Sequence, residues 1–163
     1  MEEPMKKASL VLIARNGWGL FGRKQGSPEI GEGTLNGPGG KMELIDKTIL
    51  DCALRETWEE LGIRLDKERM KKVSIITFYA RGKPSFEVHI YLTRFYRGKP
   101  RVTKSMIPER HRLALIPWGR FLESDKKWMP KLLRGKSFNA NVYYREKAKG
   151  YLGIKFAPFI DHD

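Results

Sequence analysis

The hydrophobic pattern at the start of the chain predicts a pair of antiparallel strands. Within residues 6–14, the even-numbered and the odd-numbered positions are both largely apolar. In a strand these two sets face opposite sides of the sheet, so we expect a strand covered on both faces. Asn16 and Gly17 follow as a dipeptide typical of a two-residue hairpin turn. Residues 18–23 then continue as the second strand of this hairpin.

A helical period replaces this alternation over residues 48–61. Apolar side chains recur there at helical spacing, and the following Gly62 is typical of a residue that ends a helix. The positions that we expect to face the core are Ile49, Cys52, Ala53 and Leu61.

Further strands and a second helix follow. Residues 73–80 and 87–95 are rich in β-branched and aromatic side chains and predict a second hairpin, with residues 81–85 as its connecting turn. Residues 128–133 predict a helix with a proline in its first turn, and residues 151–156 predict a last strand. This order of elements predicts a mixed α/β fold in which helices flank a sheet.

Composition agrees with one domain spanning residues 1–163. The chain is 40% hydrophobic and 11% aromatic, which is enough to build a single core. Its one cysteine, Cys52, cannot form an internal disulfide and is expected to be a small buried residue. We find no apolar run of about 18 residues and no leader pattern. We therefore expect a cytoplasmic protein without a membrane partner, and we favour a monomer.

Charge is unevenly distributed along the chain. Residues 1–70 carry a net charge of −1, whereas residues 71–163 carry +14. Such an excess favours an anionic partner, either a polyphosphate substrate or a nucleic-acid backbone. The basic runs at residues 126–127 and 147–149 are interpreted as exposed turns.

Three carboxylates share one face of the helix predicted over residues 48–61. Glu56, Glu59 and Glu60 stand at spacings of three and four, where like charges repel one another. Crowded carboxylates are also costly to keep ionised unless a cation lies among them. The cluster therefore predicts a site for Mg²⁺ or Mn²⁺. The alternative interpretation is a solvated acidic face.

A glycine-rich loop precedes this helix and favours the metal interpretation. Residues 33–41 contain four glycines and end at Lys41. A backbone without side chains can approach a ligand closely while its amides stay available for phosphate oxygens. Loop and helix together predict a site for a metal ion and a phosphate.

These two segments resemble the signature of the Nudix hydrolases, G-x5-E-x7-R-E-U-x-E-E-x-G-U, where U is aliphatic. Thr57 stands at the first aliphatic position, and one extra residue follows the loop. Counting from either end therefore places the first acidic position at Asp46 or at Lys47. The residues that match by type are Gly40, Arg55, Glu56, Glu59, Glu60, Gly62 and Ile63.

The resemblance implies a Nudix α/β/α sandwich, with a mixed sheet flanked by helices, and a metal-dependent reaction. It implies that Glu56, Glu59, Glu60 and the Gly40 carbonyl hold Mg²⁺ or Mn²⁺, which lowers the pKa of a water that attacks a bridging phosphorus. Arg55 would orient the glutamates through an ion pair. Either Glu59 or Glu60 would act as the general base, and we favour Glu59.

The phosphates of the substrate require cationic partners near the loop. Lys24 and Lys41 are the candidates, because each supplies a point charge close to the glycines. The substrate expected from these features is a nucleotide.

Beyond the signature, the chain is most similar to the MutT-type branch that hydrolyses oxidised purine nucleoside triphosphates, and it resembles especially the 8-oxo-dGTP diphosphatases of animals. The resemblance implies that Asn36 and Asp125 contact the base and that Phe78 lines its pocket. Asn36 offers both a donor and an acceptor to a purine edge, although a turn residue beside a glycine is the other interpretation. The expected products are a nucleoside monophosphate and pyrophosphate.

Two departures from that branch concern the substrate. An aromatic residue that stacks on the base corresponds to Leu122 here, and a downstream metal-assisting glutamate corresponds to Ser105. Glu109, four residues later, is the candidate to replace that glutamate.

Two alternative functions follow from the same features. The first is hydrolysis of another nucleoside diphosphate derivative, namely a nucleotide sugar, a dinucleotide polyphosphate or a capped RNA end. The second is a nucleic-acid-binding module with weakened catalysis, in which aromatic residues among basic ones stack on bases. The aromatic candidates for that second function are Phe138, Tyr143, Tyr144 and Tyr151.

Overall fold

The first strand of the chain lies near the middle of a mixed sheet and is paired on both of its edges. The computed structural model describes residues 4–163. The strands are β1 (Lys6–Arg15), β2 (Trp18–Lys24), β3 (Leu35–Asn36), β4 (Gly39–Lys41), β5 (Arg64–Leu65), β6 (Lys71–Ala80), β7 (Lys83–Thr93), β8 (Tyr96–Arg97), β9 (Met106–Arg112), β10 (Phe138–Glu146) and β11 (Lys149–Ala157). The α-helices are α1 (Ile49–Leu61) and α2 (Asp125–Leu133), and 3₁₀ turns span Lys67–Arg69, Leu113–Leu115 and Trp118–Arg120.

The main sheet combines parallel and antiparallel pairs. Its strand order is β11-β10-β6-β7-β1-β2-β3, with β4 paired to β1 and β9 paired to β2. Strand β1 runs parallel to β7, and β6 runs parallel to β10. The remaining pairs in this sheet are antiparallel, and β5 pairs with β8 in a separate two-stranded sheet.

Helices cover both faces of this sheet, as the alternation in β1 predicts. Leu10 and Leu12 belong to the hydrophobic cluster that contains Trp128 of α2. Val11 and Ile13, which point the other way, belong to the cluster that α1 completes. The predicted α/β/α sandwich is therefore confirmed.

Helix α1 has a well-defined start and end. The Thr48 side chain accepts a hydrogen bond from the Asp51 amide, and the Asp51 carboxylate accepts one from the Thr48 amide, which is a capping box. Gly62 ends the helix in the left-handed conformation, with φ of 68°. The four positions predicted to face the core are buried, as expected. These caps fix which face of α1 presents its glutamates.

Both hairpins close through two-residue turns with positive φ at each turn residue. Asn16 and Gly17 have φ of 52° and 80°, as their sequence predicts. In the second hairpin the turn is only Arg81 and Gly82, with φ of 54° and 75°, so the predicted turn over residues 81–85 is too long. Two-residue turns of this kind match the right-handed twist of the paired strands. Because the turn is so short, β7 begins at Lys83.

Helix α2 begins earlier than predicted. It starts at Asp125 rather than Trp128, so Pro130 is its sixth residue and not part of its first turn. The missing amide of Pro130 removes one intrahelical hydrogen bond, and the helix continues for only three more residues. The basic pair at residues 126–127 accordingly lies on a helix and not on an exposed turn.

Strands β9 and β10 are additions to the predicted pattern. Strand β10 pairs with β6 and with β11. Strands β10 and β11 form a hairpin, closed by Lys147 and Ala148, that extends the sheet. From its sequence, the basic run over residues 147–149 is interpreted as an exposed turn. Lys147 and Ala148 do form a turn but are half-buried, and Lys149 already belongs to β11. Within residues 4–163, neither helix is long and apolar enough to cross a membrane.

Candidate active site

A cavity of about 230 Å³ brings together residues that are far apart in the sequence. Its lining comes from the glycine-rich loop, α1, β6 and the start of α2. The predicted site residues among those that line it are Lys24, Asn36, Gly40, Lys41, Glu60, Phe78 and Asp125. Glu56 and Glu59 lie beside it on α1 and outside its lining.

The glycines of the loop allow its backbone to lie directly against β1. A Cβ atom at Gly37 or Gly39 would collide with the backbone carbonyl of Val11 or Ser9, respectively. A Cβ at Gly40 would come 2.5–2.7 Å from carboxylate atoms of Glu56. The loop therefore requires glycine at these positions to bring its backbone up to both the sheet and the glutamates.

The three glutamates of α1 have different surroundings. Glu60 is directed at the loop, where its Oε1 accepts a hydrogen bond of 2.7 Å from the Gly39 amide. Glu56 is mostly buried, whereas the Glu59 side chain keeps 54% of its surface exposed. The most accessible carboxylate beside the cavity is thus the one that we favour as the base.

Arg55 organises the outer side of this cluster. Its Nη1 donates to Glu56 Oε1 at 2.9 Å and to Glu59 Oε2 at 3.2 Å, while Nη2 donates to the Lys41 carbonyl at 3.1 Å. One guanidinium therefore holds two glutamates of α1 and the end of the glycine-rich loop. Such a contact can set the relative positions of loop and helix.

Asp46, and not Lys47, occupies the first acidic position. The Asp46 carboxylate accepts hydrogen bonds from Nε and Nη2 of Arg55 at 2.9 and 2.8 Å. It is buried, whereas Lys47 is exposed. The guanidinium of Arg55 lowers the pKa of Asp46, so this carboxylate stays ionised.

Burial raises the pKa of two of the three α1 glutamates, Glu60 and Glu56. The pKa of Glu60 rises to about 7 because the side chain is desolvated, despite the hydrogen bond from Gly39, and the charge of Glu56 adds to the effect. Desolvation likewise raises the pKa of Glu56. Both groups hold their charge at a cost that a nearby cation would remove.

The donor set suits a hard metal ion, although it is not a preformed cage. Within residues 4–163, no group of three or more acidic, histidine or cysteine side chains converges on one metal position. The oxygens available are carboxylates of Glu56, Glu59 and Glu60 with the Gly40 carbonyl, which already accepts a contact of 3.3 Å from Cys52 Sγ. Oxygen donors of this kind fit Mg²⁺ or Mn²⁺.

Two lysines reach the cavity from different sides. Lys24 is largely buried, and desolvation lowers its pKa against the opposing effects of Glu60 and Asp125. Lys41 is more exposed and forms an ion pair of 2.7 Å with Glu29. The charges of Glu60 on α1 and of Asp125 on α2 thus both act on Lys24.

The start of α2 contributes a buried carboxyl group to the cavity. Asp125 is 2% exposed, and among the described residues its Oδ2 has no hydrogen-bond partner. Desolvation raises the pKa of Asp125 to about 7, against the effect of the Lys24 charge. Near neutral pH the group is therefore divided between its protonated and ionised forms, and the protonated form can donate as well as accept.

Asn36 is a turn residue that also lines the cavity. Its Oδ1 accepts a hydrogen bond of 2.8 Å from the Gly37 amide, which is the contact of a turn residue. The same residue lines the cavity together with Phe78 and Leu122.

Glu109, the candidate to assist the metal, does not line the cavity, and ion pairs hold its carboxylate. Both of its carboxylate oxygens bind Arg120, at 2.7 and 2.6 Å, and His111 contacts Oε1 at 2.9 Å. Thr57, the other departure from the signature, is buried in α1 and donates to the Ala53 carbonyl at 2.8 Å. That bond satisfies its hydroxyl at a position that normally carries an aliphatic side chain.

The aromatic residues proposed to stack on nucleic acid lie mainly inside the protein. Phe138 and Tyr144 are buried in the main hydrophobic cluster, and Tyr151 packs against it. Tyr143 stacks on Tyr79, with ring centroids 4.8 Å apart. Buried rings cannot stack on a base, so the interpretation is wrong for Phe138 and Tyr144, whereas Tyr143 and Tyr151 are half-buried.

Glu29 and Lys147 also belong to the cavity wall, and neither was predicted from the sequence. Glu29 bridges Lys41 and Lys147, with distances of 2.7 and 2.8 Å. Glu29 and Lys147 lie more than a hundred positions apart along the chain, the latter on the β10–β11 turn. The basic run at residues 147–149 marked the region of Lys147 in the sequence, but no pattern marked Glu29.

The fold and the signature together define the family. A model of the NUDIX domain matches residues 4–134, which is most of the chain. The chain therefore belongs to the Nudix family, whose hydrolases cleave diphosphate linkages and generally use divalent metals such as Mg²⁺ or Mn²⁺.

Solved structures share the fold at low sequence identity. A mutator MutT protein from Bacillus halodurans superposes with a TM-score of 0.76 at 18% identity, covering 93% of this chain and 97% of its own. A MutT NUDIX hydrolase from Burkholderia pseudomallei gives 0.61 at 26% identity, covering 71% and 88%. A bifunctional NMN adenylyltransferase/ADP ribose pyrophosphatase from Francisella tularensis, solved with AMP and a Mn ion, gives 0.62 at 21%, covering 82% and 42%.

Proposed function

We propose that this Nudix protein hydrolyses a purine nucleoside triphosphate, including the 8-oxo form, to the monophosphate and pyrophosphate. The observation that carries the proposal is the continuity of one cavity. Glu60, Gly40, Asn36 and Asp125 all line this cavity, and we assign the side with Glu60 and Gly40 to the phosphates (the phosphate end) and the side with Asp125 and the Asn36 amide to the base (the far end). A nucleotide has the same two-ended chemistry, with a charged polyphosphate joined to a base that hydrogen-bonds.

The phosphate end supplies oxygen donors, cations and a base. Mg²⁺ or Mn²⁺, held by Glu56, Glu59, Glu60 and the Gly40 carbonyl, would neutralise phosphate charge and acidify a bound water. Glu59, exposed beside the cavity and held by Arg55, would accept the proton of the attacking water.

Lys24 and Lys41 complete the phosphate end. Both line the cavity, and their ammonium groups would pair with the nonbridging oxygens of the polyphosphate. Because Lys24 is largely buried, its attraction to an anion is less screened by solvent than that of Lys41.

The far end suits a purine that presents both donors and acceptors. Asn36 supplies an amide, and Asp125 with its pKa near 7 supplies a carboxyl group in either protonation state. Phe78 lines the wall beside them with an aromatic ring. An 8-oxo purine and a normal purine differ in their hydrogen-bonding edge, so this pair is where discrimination would arise.

The Francisella tularensis protein, which shares this fold, was solved in complex with AMP and a Mn ion. Its ligands support a nucleotide as substrate and a divalent metal as cofactor here. They do not distinguish a triphosphate from another nucleoside diphosphate derivative. We also propose that the protein works as a monomer in the cytoplasm.

The test is a hydrolysis screen with Mg²⁺ present and absent. The substrates are normal and 8-oxo purine nucleoside triphosphates, nucleotide sugars, dinucleotide polyphosphates and capped RNA, with products separated by chromatography. We expect the highest kcat/KM for a purine triphosphate, with pyrophosphate released. A higher value for any of the other classes would replace the proposed substrate by that class, and no Mg²⁺-dependent turnover on any would refute the proposal.

A further inference from the structure

An exposed tryptophan and a half-buried tyrosine, each contacted by an arginine, lie outside the lining of the nucleotide cavity. Trp18 is 41% exposed, and the guanidinium carbon of Arg112 lies 4.7 Å from its ring centroid. Strand pairing sets these residues side by side, since Trp18 stands opposite Arg112 on β9 and opposite Arg15 on β1. The arginines are therefore fixed beside the ring by the sheet itself.

A second ring lies beside the first. Tyr96 is contacted by Arg15, whose guanidinium carbon lies 5.4 Å from the ring centroid, and its hydroxyl accepts a hydrogen bond of 2.7 Å from Arg110 Nη2. Trp18 and Tyr96 line one cavity of about 250 Å³ with Arg15 and Arg110. We call Arg15, Trp18, Tyr96, Arg110 and Arg112 the arginine–aromatic surface.

The positive charge of this surface is not neutralised by carboxylates. Among residues 4–163, Arg15, Arg110 and Arg112 form no ion pair with an acidic side chain, and no acidic residue lines the cavity beside Tyr96. Arg55 and Arg120 are different, because both are held by glutamate or aspartate. Arginines stacked on rings keep their outward N–H groups available for an anion.

We propose that the arginine–aromatic surface binds single-stranded nucleic acid. The arginines would pair with backbone phosphates, and unpaired bases would stack on the exposed part of Trp18 and on the planar guanidinium groups beside the two rings. Bases in a duplex are already stacked on one another and cannot reach these rings, so a single strand is the form that fits. The excess of +14 over residues 71–163 attracts the same partner over longer distances.

This surface shares no residue with the lining of the nucleotide cavity. The proposal therefore goes beyond nucleotide hydrolysis, and it does not require that the hydrolase substrate be correctly identified. Binding to the surface and turnover in the cavity should respond to different substitutions.

The experiment measures binding of a fluorescein-labelled oligothymidine of about 12 nucleotides, within the span of one single-strand site, to the full chain by anisotropy. Salt is varied from about 50 to about 200 mM NaCl, and wild-type affinity should fall steeply over this range. Arg15→Gln with Arg112→Gln should weaken binding about tenfold and reduce the slope of log K against log salt by roughly 1.4, the value for two lost contacts on a single strand. Trp18→Leu should weaken binding about tenfold and leave the slope unchanged, because it removes stacking but no charge.

The matched control is Arg134→Gln with Lys136→Gln, two cations that follow α2. It removes the same charge from another region and should retain wild-type affinity, and thermal melts should show every variant folded. The proposal is overturned if the wild type fails to bind at the lowest salt or if the control loses as much affinity as the double variant. Equal affinity for a duplex or for polyglutamate would also overturn it.

Discussion

Asp46 and Arg55 form an ion pair through two parallel hydrogen bonds, from Nε to Oδ1 at 2.9 Å and from Nη2 to Oδ2 at 2.8 Å. The extra residue upstream of α1 is absorbed in a tight turn, where Asp46 and Glu43 exchange backbone and side-chain hydrogen bonds of 2.9 Å. Leu44 and Ile45 are exposed in that turn. The chain thus keeps a carboxylate against Arg55 although the spacing of the signature has changed.

Asp46→Ala should lower both stability and turnover. The substitution leaves Arg55 partly buried without its main partner, and we expect a loss of roughly 1.5–3 kcal/mol in the free energy of unfolding, the value of a hydrogen bond to a charged group. Because Arg55 also holds Glu56 and Glu59, kcat should fall as well. Urea unfolding and steady-state kinetics measure the two effects. Lys47→Ala, at the neighbouring exposed position, should change neither, and an equal effect of both substitutions would contradict the assignment of Asp46.

Asp125 should make stability decline as pH rises. Burial raises its pKa to about 7, whereas an unfolded aspartate titrates near 3.9. Between these values the folded protein holds a proton that the unfolded chain has lost. The stabilising contribution is therefore complete below about pH 4 and is lost as pH approaches 7.

Asp125→Asn removes this titration. Its free energy of unfolding should change less between about pH 4 and pH 7 than that of the wild type, with a difference on the order of several kcal/mol. Chemical denaturation at a series of pH values measures it. A pH dependence unchanged by the substitution would mean that Asp125 titrates normally.

Glu29 should weaken substrate binding in the wild type. It forms ion pairs with both Lys41 and Lys147 beside the cavity, and a polyphosphate would compete with it for these ammonium groups. Glu29→Gln should lower KM about threefold without changing kcat, an effect of the size expected for exposed ion pairs. Glu32→Gln removes an exposed charge three residues away and should leave KM unchanged. A higher KM in Glu29→Gln would show that this bridge helps binding.

Asn36→Ala should chiefly change discrimination between bases. The substitution removes an amide from the far end of the cavity and leaves the glutamates of α1 in place. We expect the ratio of kcat/KM for 8-oxo and normal purine triphosphates to shift about tenfold, the value of one lost hydrogen bond to substrate. A uniform loss on both substrates would instead indicate that the turn at Gly37 had been disturbed.

The parts of the fold set by local chemistry were predictable from sequence. The Asn16-Gly17 turn and the ends of α1 depend on residues within a few positions of each other, and they form as expected. Strand β9 contains Pro108 and several charges, so it lacks the alternation that marks a strand. It forms because β2 offers it an edge, which only the folded chain supplies.

The candidate site likewise has features that local sequence predicts and features that depend on tertiary contacts. The spacing of Glu56, Glu59 and Glu60 is a property of one helix, so sequence could indicate their shared face. The choice of Asp46 over Lys47 depends on a tertiary contact with Arg55. The contact of Glu29 with Lys147 joins two loops across the fold, and no local pattern encodes it.

The most direct test of the central claim, that carboxylates of α1 support metal-dependent hydrolysis, compares Glu59→Gln with Glu43→Gln. Both glutamates approach Arg55, at 3.2 and 3.8 Å, and both side chains are largely exposed. With a purine triphosphate and a Mg²⁺ titration, Glu59→Gln should lose about 10²- to 10³-fold in kcat. Glu43→Gln should stay within about twofold of the wild type, whose turnover should cease in EDTA. A wild-type rate for Glu59→Gln, or hydrolysis that persists in EDTA, would contradict the claim.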